Sequence, residues 1–140
     1  MPELLPVYDF LGINLLEANY SRLRPGKVES FAIRIPNHNY DSFKKIYVIG
    51  ILVVLNFEND SKKESTLSFT AGFKINDEEW MKSIDNKQFN SLLLSIAFPY
   101  VRKMVNDITD DSRGEFIMPI IDLRSIDLEK GVRYTISKNK

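Results

Sequence analysis

The sequence predicts an α+β fold: a four-stranded antiparallel sheet packed with one long helix and followed by an apolar C-terminal segment. Three observations carry this expectation. The N-terminal half holds apolar, β-branched runs separated by turn residues. A helical periodicity of apolar residues then runs from Phe89 to Ile108. All strand-like runs precede the helix, an order that segregates α from β instead of alternating them.

The first strand is expected over residues 12–23 ("GINLLEANYSRL"), closed by the turn "RPG" at 24–26. The second, "KVESFAIRIP", alternates Val28, Phe31, Ile33 and Ile35 on one side, with a slip near Glu29, and Pro36 ends it. "NHNYDS" reads as a polar connection. The third, "KKIYVIGILVVLNFEND", is rich in Ile, Val and Tyr and apolar on both faces. A sheet wet on one side alternates more cleanly, so either this chain or a partner covers the second face. "SKKE" turns into the fourth strand, "STLSFTAGFKIND", where Leu67, Phe69, Ala71, Phe73 and Ile75 share a face.

From Asp77 the pattern changes. "NDEEWMKSI" has an acidic first turn behind an Asn/Asp cap and predicts a short helix. Residues 85–111 predict the main helix. One stripe holds Phe89, Leu93, Ala97, Tyr100, Met104 and Ile108, and an adjoining one holds Leu94, Phe98, Val101 and Val105. That arc is wider than one sheet needs, which predicts self-association through the first strand and this helix. Arg113 and Gly114 form a helix stop. Pro99 lies inside the helix, where proline deletes a backbone hydrogen bond at a usual cost of ~3 kcal/mol.

With 140 residues the chain is expected to be a single domain. Its 19 basic residues balance 19 acidic ones, so net charge favours neither nucleic acid nor an acidic membrane. Having no cysteine, it carries no disulfide or thiolate chemistry. The longest apolar run, residues 46–55, falls short of the ~20 residues that span a bilayer. The start lacks a basic n-region and a clean apolar stretch, so a cytoplasmic, soluble protein without membrane insertion is expected.

Catalytic arrangements are weak. His38, the single histidine, lies in the polar connection and reads as a solvated loop residue. Asp110 and Asp111 are adjacent at a helix C-terminus and read as a solvated turn. Asp77, Glu78 and Glu79 are explained by the helix N-terminus beside them. No phosphate loop or metal-ligand spacing is present. The expectation is a non-enzyme that binds, with no cofactor, no metal and no nucleic acid.

The stretch "AFPYVRKMVNDITDDSRGEFIMP" resembles the SecB family of bacterial export chaperones. The resemblance rests on Phe98, Pro99, Tyr100 and Arg102, with Val101 where alanine is usual, then on Arg113 and Gly114, Phe116 and Pro119. "TAGFKI" (70–75) and "EANYSR" (17–22) resemble the ends of the family's fourth and first strands. The similarity spans roughly residues 13–129, leaving 130–140 as a basic tail.

The resemblance implies a C-terminal apolar segment or second helix beyond the long one, and a homotetramer built as a dimer of dimers. It also implies ATP-independent holding of unfolded polypeptides for protein export, with handover to the motor SecA. The client groove it implies is lined by Phe98, Tyr100, Met104, Phe116, Ile117, Met118, Ile120 and Ile121, offering flexible apolar surface.

Typical members are strongly acidic, whereas this chain is neutral and places Arg22, Arg34, Lys44, Lys45 and Lys74 on or beside its strands. That charge argues against SecA docking. The alternative readings are a SecB-like chaperone dedicated to one partner, such as an antitoxin, and a hotdog-like small-molecule enzyme. The enzyme reading lacks a convincing acid or base in the apolar helix.

Overall fold

The computed structural model describes residues 6–20, 28–57, 64–109 and 132–135. Four long strands form the body of the sheet: β1 (Tyr8–Asn19), β2 (Val28–Arg34), β4 (Ile46–Phe57) and β5 (Glu64–Ile75). Two short strands, β3 (His38–Asp41) and β6 (Val132–Thr135), join them. The order across the sheet is β1-β5-β4-β2-β6, with β3 paired to β4 beyond the end of β2, and every pairing is antiparallel. The four expected strands are therefore present and the sheet is larger than expected by two short ones.

The side-chain period of two decides which face is core. Along β5, Leu67, Phe69, Ala71, Phe73 and Ile75 are buried while Thr66, Ser68, Thr70 and Gly72 are half-exposed. Register carries the same parity into β4, where Tyr47, Ile49, Ile51, Val53 and Leu55 are buried. Phe31 and Ile33 continue it in β2. The slip near Glu29 is a β-bulge, a register shift between Val28 and Ser30.

β1 begins at Tyr8, not at Gly12. Gly12 is instead the bulge residue of β1 at φ 123°, a conformation that glycine alone adopts freely, and the register shifts there between Phe10 and Gly12. Gly50, mid-strand in β4, has no Cβ because Asn37, which accepts the Gly50 N–H at 2.9 Å through its carbonyl, lays its side chain over it.

Helix α1 (Glu78–Ser83) is capped by Asp77, whose carboxylate accepts the Trp80 N–H at 3.0 Å. Trp80 stacks on Tyr8 with ring centroids 5.8 Å apart and meets Phe89 edge-on at 5.6 Å, which ties α1 to β1 and to the start of the long helix. Helix α2 (Asn86–Thr109) lies across β1, β5 and β4 on the core face. Its buried ladder runs Phe89, Leu93, Ala97, Val101, Val105 and Thr109 at a spacing of four, flanked by Leu94 and Phe98.

Pro99 is exposed on the opposite side of this helix. The carbonyl of Ser95, which the Pro99 nitrogen cannot serve, therefore faces the wet side. Water satisfies it there at far less than the cost inside a core. The proline is tolerated because the ladder, not the wet face, carries the packing.

The outer face of the sheet has no helix over it among the described residues. Ile46, Val48, Leu52 and Val54 of β4 remain half-exposed there. The second apolar face of this strand is thus left open by the described part of the chain.

Candidate polypeptide-binding surface

An aromatic stair climbs from the core to the surface. Phe73 of β5 is fully buried, and Phe10 of β1 packs on it with centroids 5.3 Å apart. Tyr100 of α2 then packs on Phe10 at 5.1 Å and is 51% exposed. Met104 and Ile108 follow Tyr100 at a spacing of four and are half-buried, so the stair continues down the flank of α2. β1 also exposes three leucines: Leu11, at 54%, lies against Gly72 on the outer sheet face, Leu15, at 37%, stands opposite Phe69, and Leu16, at 67%, sits at the register shift between Leu15 and Glu17. Leu11 and Leu16 sit where the β1 register shifts, which turns them away from the core.

β1 is also an edge strand: among the described residues it pairs with β5 and with no other strand. A long edge strand carrying exposed leucines, with the exposed Tyr100 packed on its Phe10, is a surface suited to another polypeptide.

Three of the eight predicted groove residues fall in the described part of the chain. Tyr100 and Met104 lie together on this surface. Phe98 departs from the expectation: it is 5% exposed and belongs to the core cluster, so it offers no free surface to a client. Phe116, Ile117, Met118, Ile120 and Ile121 lie outside the described residues, as do the Arg113-Gly114 stop, Arg22 and the Asp110–Asp111 pair. Leu11, Leu15, Leu16 and Phe10 were not predicted as site residues. Their signal in the sequence was the run of leucines in "FLGINLL", which alternation alone does not resolve into inward and outward sides.

A second feature lies at the far end of α2. An open cavity of about 440 Å³ is bordered by β3, the start of β4 and the α1–α2 junction. Its polar groups come from His38, Tyr40, Lys82 and Asn86, and its apolar floor from Met81, Ile84 and Phe89. His38 is not in a loop: β3 holds it, exposed, with its ring stacked on Tyr47 at 6.0 Å. The Tyr47 hydroxyl donates to Asn90 Oδ1 at 2.9 Å and lies 3.0 Å from His38 Nδ1, which donates to it when that nitrogen carries the proton. Asn90 Nδ2 is a buried donor with no hydrogen-bond partner among the described residues. Asn90 is thus held by one bond at its oxygen, which fixes the side chain without using its donors.

Tyr40 donates to Glu78 Oε1 at 2.7 Å. Burial, then that hydrogen bond and the negative charge of Glu78, with a smaller contribution from Asp41, push the Tyr40 hydroxyl up to about 12. Because the folded value is raised, any stability from this group is present below the ordinary tyrosine range and is lost as pH climbs from about 10 to about 12. Tyr40→Phe is expected to cost about 1 kcal/mol in urea unfolding at neutral pH. The same substitution should remove a component near pH 12 from the tyrosine absorbance on alkaline titration.

Among the described residues, no three His, Asp or Glu side chains come together as a metal site. No helix among them is long and apolar enough to cross a membrane. The first feature is thus a set of exposed apolar side chains on β1 and α2, and the second an open cavity with a mixed polar and apolar lining.

No protein-family model matches the chain, and no curated protein matches it either. Among solved structures the fold is similar to that of a SecB-like chaperone of Mycobacterium tuberculosis in complex with a ChAD peptide from the HigA1 antitoxin. The TM-score is 0.55 at 20% sequence identity, covering 73% of this chain and 78% of the other. The fold is SecB-like.

Proposed function

We propose that the protein is an ATP-independent holdase of SecB type that binds unfolded or extended polypeptides on an apolar surface. One observation carries the reading: the β1 edge exposes Leu11, Leu15 and Leu16 and α2 exposes Tyr100, on a SecB-like fold with no catalytic constellation among its described residues. Exposed apolar area of this kind is unfavourable in water unless a partner covers it. Tyr100, Met104 and the segment holding Phe116, Ile117, Met118, Ile120 and Ile121 supply the client contact. The β1 edge, with its exposed Leu11 and Leu16, supplies self-association, first into a dimer and then into a dimer of dimers, in the cytoplasm.

A chaperone dedicated to one partner is the second reading. It is supported by the structural likeness to a chaperone that carries an antitoxin peptide. A toxin gene beside this one, and saturable binding of the matching antitoxin but not of general unfolded protein, would select it.

The charge of the sheet face opposes export through SecA. Arg34 and Lys74 lie exposed on the outer sheet face by register, and Lys44 and Lys45 are exposed at the β3–β4 turn. Charges at a rim set association rate and salt dependence, and these oppose a partner that seeks an acidic face. Calorimetry should register weak or absent SecA binding; tight, salt-sensitive binding would mean the surface charge has been misjudged.

The reading is tested by light scattering of an aggregating unfolded polypeptide with the protein added and no nucleotide present. Stoichiometric suppression is expected. No suppression, together with hydrolysis of an acyl-thioester, would replace the holdase with the hotdog-like enzyme.

A further inference from the structure

β6 is the outermost strand of the sheet and is held on the outer edge of β2 by a ladder of four residue pairs. Its four residues pair with the outer edge of β2, Val132 opposite Ile33, Arg133 opposite Ala32, Tyr134 opposite Phe31 and Thr135 opposite Ser30. Phe31 and Ile33 are fully buried within the core cluster that α2 and the long strands share. The backbone ladder that β6 makes is short, and the ordering of its own backbone offsets much of what that ladder contributes.

The edge beneath it extends further than β6 does. Beyond Ile33 come Arg34 and then Pro36, which has no N–H to offer and so ends the ladder. Next is β3, whose outer edge pairs with no strand among the described residues. His38 and Tyr40 stand there at the mouth of the open cavity, above Met81, Ile84 and Phe89.

We propose that the outer edge of β2 is a strand-addition site for an extended client polypeptide, that β6 is its built-in, displaceable occupant, and that the cavity beside β3 receives a client side chain. This rests on the holdase reading and names how the client is held. A client running antiparallel to β2 in the place of β6 makes the same backbone ladder, which demands no particular sequence. It continues on its N-terminal side past Arg34 and Pro36 to the cavity, where an apolar or aromatic side chain meets the floor.

The register selects clients with apolar residues at alternate positions, opposite Ile33 and Phe31, as Val132 and Tyr134 are. The cavity lining carries Lys82 and His38 and no carboxylate, so a neutral or acidic client segment suits it better than a basic one. β6 is tethered and competes as an intramolecular ligand, so it keeps short or weak sequences off the edge and yields to longer ones.

The test uses the full chain, which has no cysteine of its own. Ala32→Cys with Arg133→Cys places two thiols on directly opposed residues of an antiparallel pair. The probe is a fluorescein-labelled polypeptide kept unfolded by reduction and carboxymethylation. Oxidation should lock β6 in place and weaken probe binding by roughly 10-fold or more, and reduction should restore it. In the wild-type protein, saturating probe should remove hydrogen-exchange protection from the amides of residues 132–135 while β2 stays protected.

Equal affinity of the locked and reduced forms, or β6 amides still protected at saturation, would overturn the proposal while leaving the holdase intact. No probe binding by the wild-type protein in any state would overturn the holdase reading and this inference with it.

Discussion

Aspartate in place of Leu93 or Val101 is expected to leave no cooperatively folding protein. Both side chains are fully buried on the α2 ladder that faces β1, β5 and β4. Truncating a buried aliphatic side chain alone costs about 2–5 kcal/mol. An uncompensated buried charge adds several kcal/mol more. A domain of this size has roughly 5–15 kcal/mol in total, so either substitution takes most or all of it. Thermal melting by circular dichroism should show no transition, or one displaced far below that of the wild type.

Met118→Asp and Ile121→Asp are the contrasting pair. They lie outside the described residues, beyond the expected helix stop, and are expected to melt normally while binding an unfolded client more weakly. If they melt as badly as Leu93→Asp, the segment is core and its assignment to the client surface is wrong.

Glutamate at both Leu11 and Leu16 is expected to dissociate the protein into folded monomers. Each leucine that a partner copy covers contributes about 1.5–3 kcal/mol to association. Losing both therefore weakens it by roughly 10²–10⁴-fold, before any repulsion between the new charges. Within the monomer both side chains are already more than half exposed, so the fold loses little. Light scattering should report one protomer for the variant and a dimer or tetramer for the wild type, with nearly equal melting temperatures. A wild type that is monomeric at micromolar concentration would contradict the assignment of the β1 edge to self-association.

The parts of this fold legible in the sequence are those where one local signal decides. β5 alternates strictly, so its buried face could be named residue by residue. β4 was evident from its β-branched run, and even the bulge near Glu29 left a break in the alternation. The Asp77 cap was legible because capping is a matter of neighbouring residues.

What escaped depends on pairing with distant residues. "HNYD" is polar and reads as a loop, yet it becomes β3 because the free edge of β4 lies alongside it. "VRYT" becomes β6 only because β2 has an edge to offer. Gly12 reads in the sequence as the start of a strand, whereas its positive φ makes it a bulge within one that begins four residues earlier, at Tyr8.

The helix shows the same division. Its apolar arc was visible, but the sequence split it into stripes of mixed spacing. The sheet selects the straight ladder from Phe89 to Thr109 instead, which takes Val101 and Val105 inward and leaves Tyr100 and Met104 on the flank. Phe98 went to the core for the same reason. That Tyr100 meets Phe10 across some ninety residues of chain is a tertiary fact, and no local pattern announces it.

The central claim, that this SecB-like fold holds unfolded polypeptide without nucleotide, is tested most directly by fluorescence anisotropy of one labelled polypeptide in two states. The carboxymethylated, unfolded form should bind saturably in the micromolar range with no ATP present, and the native form of the same polypeptide should not bind. Equal binding of both forms, or of neither, would contradict it.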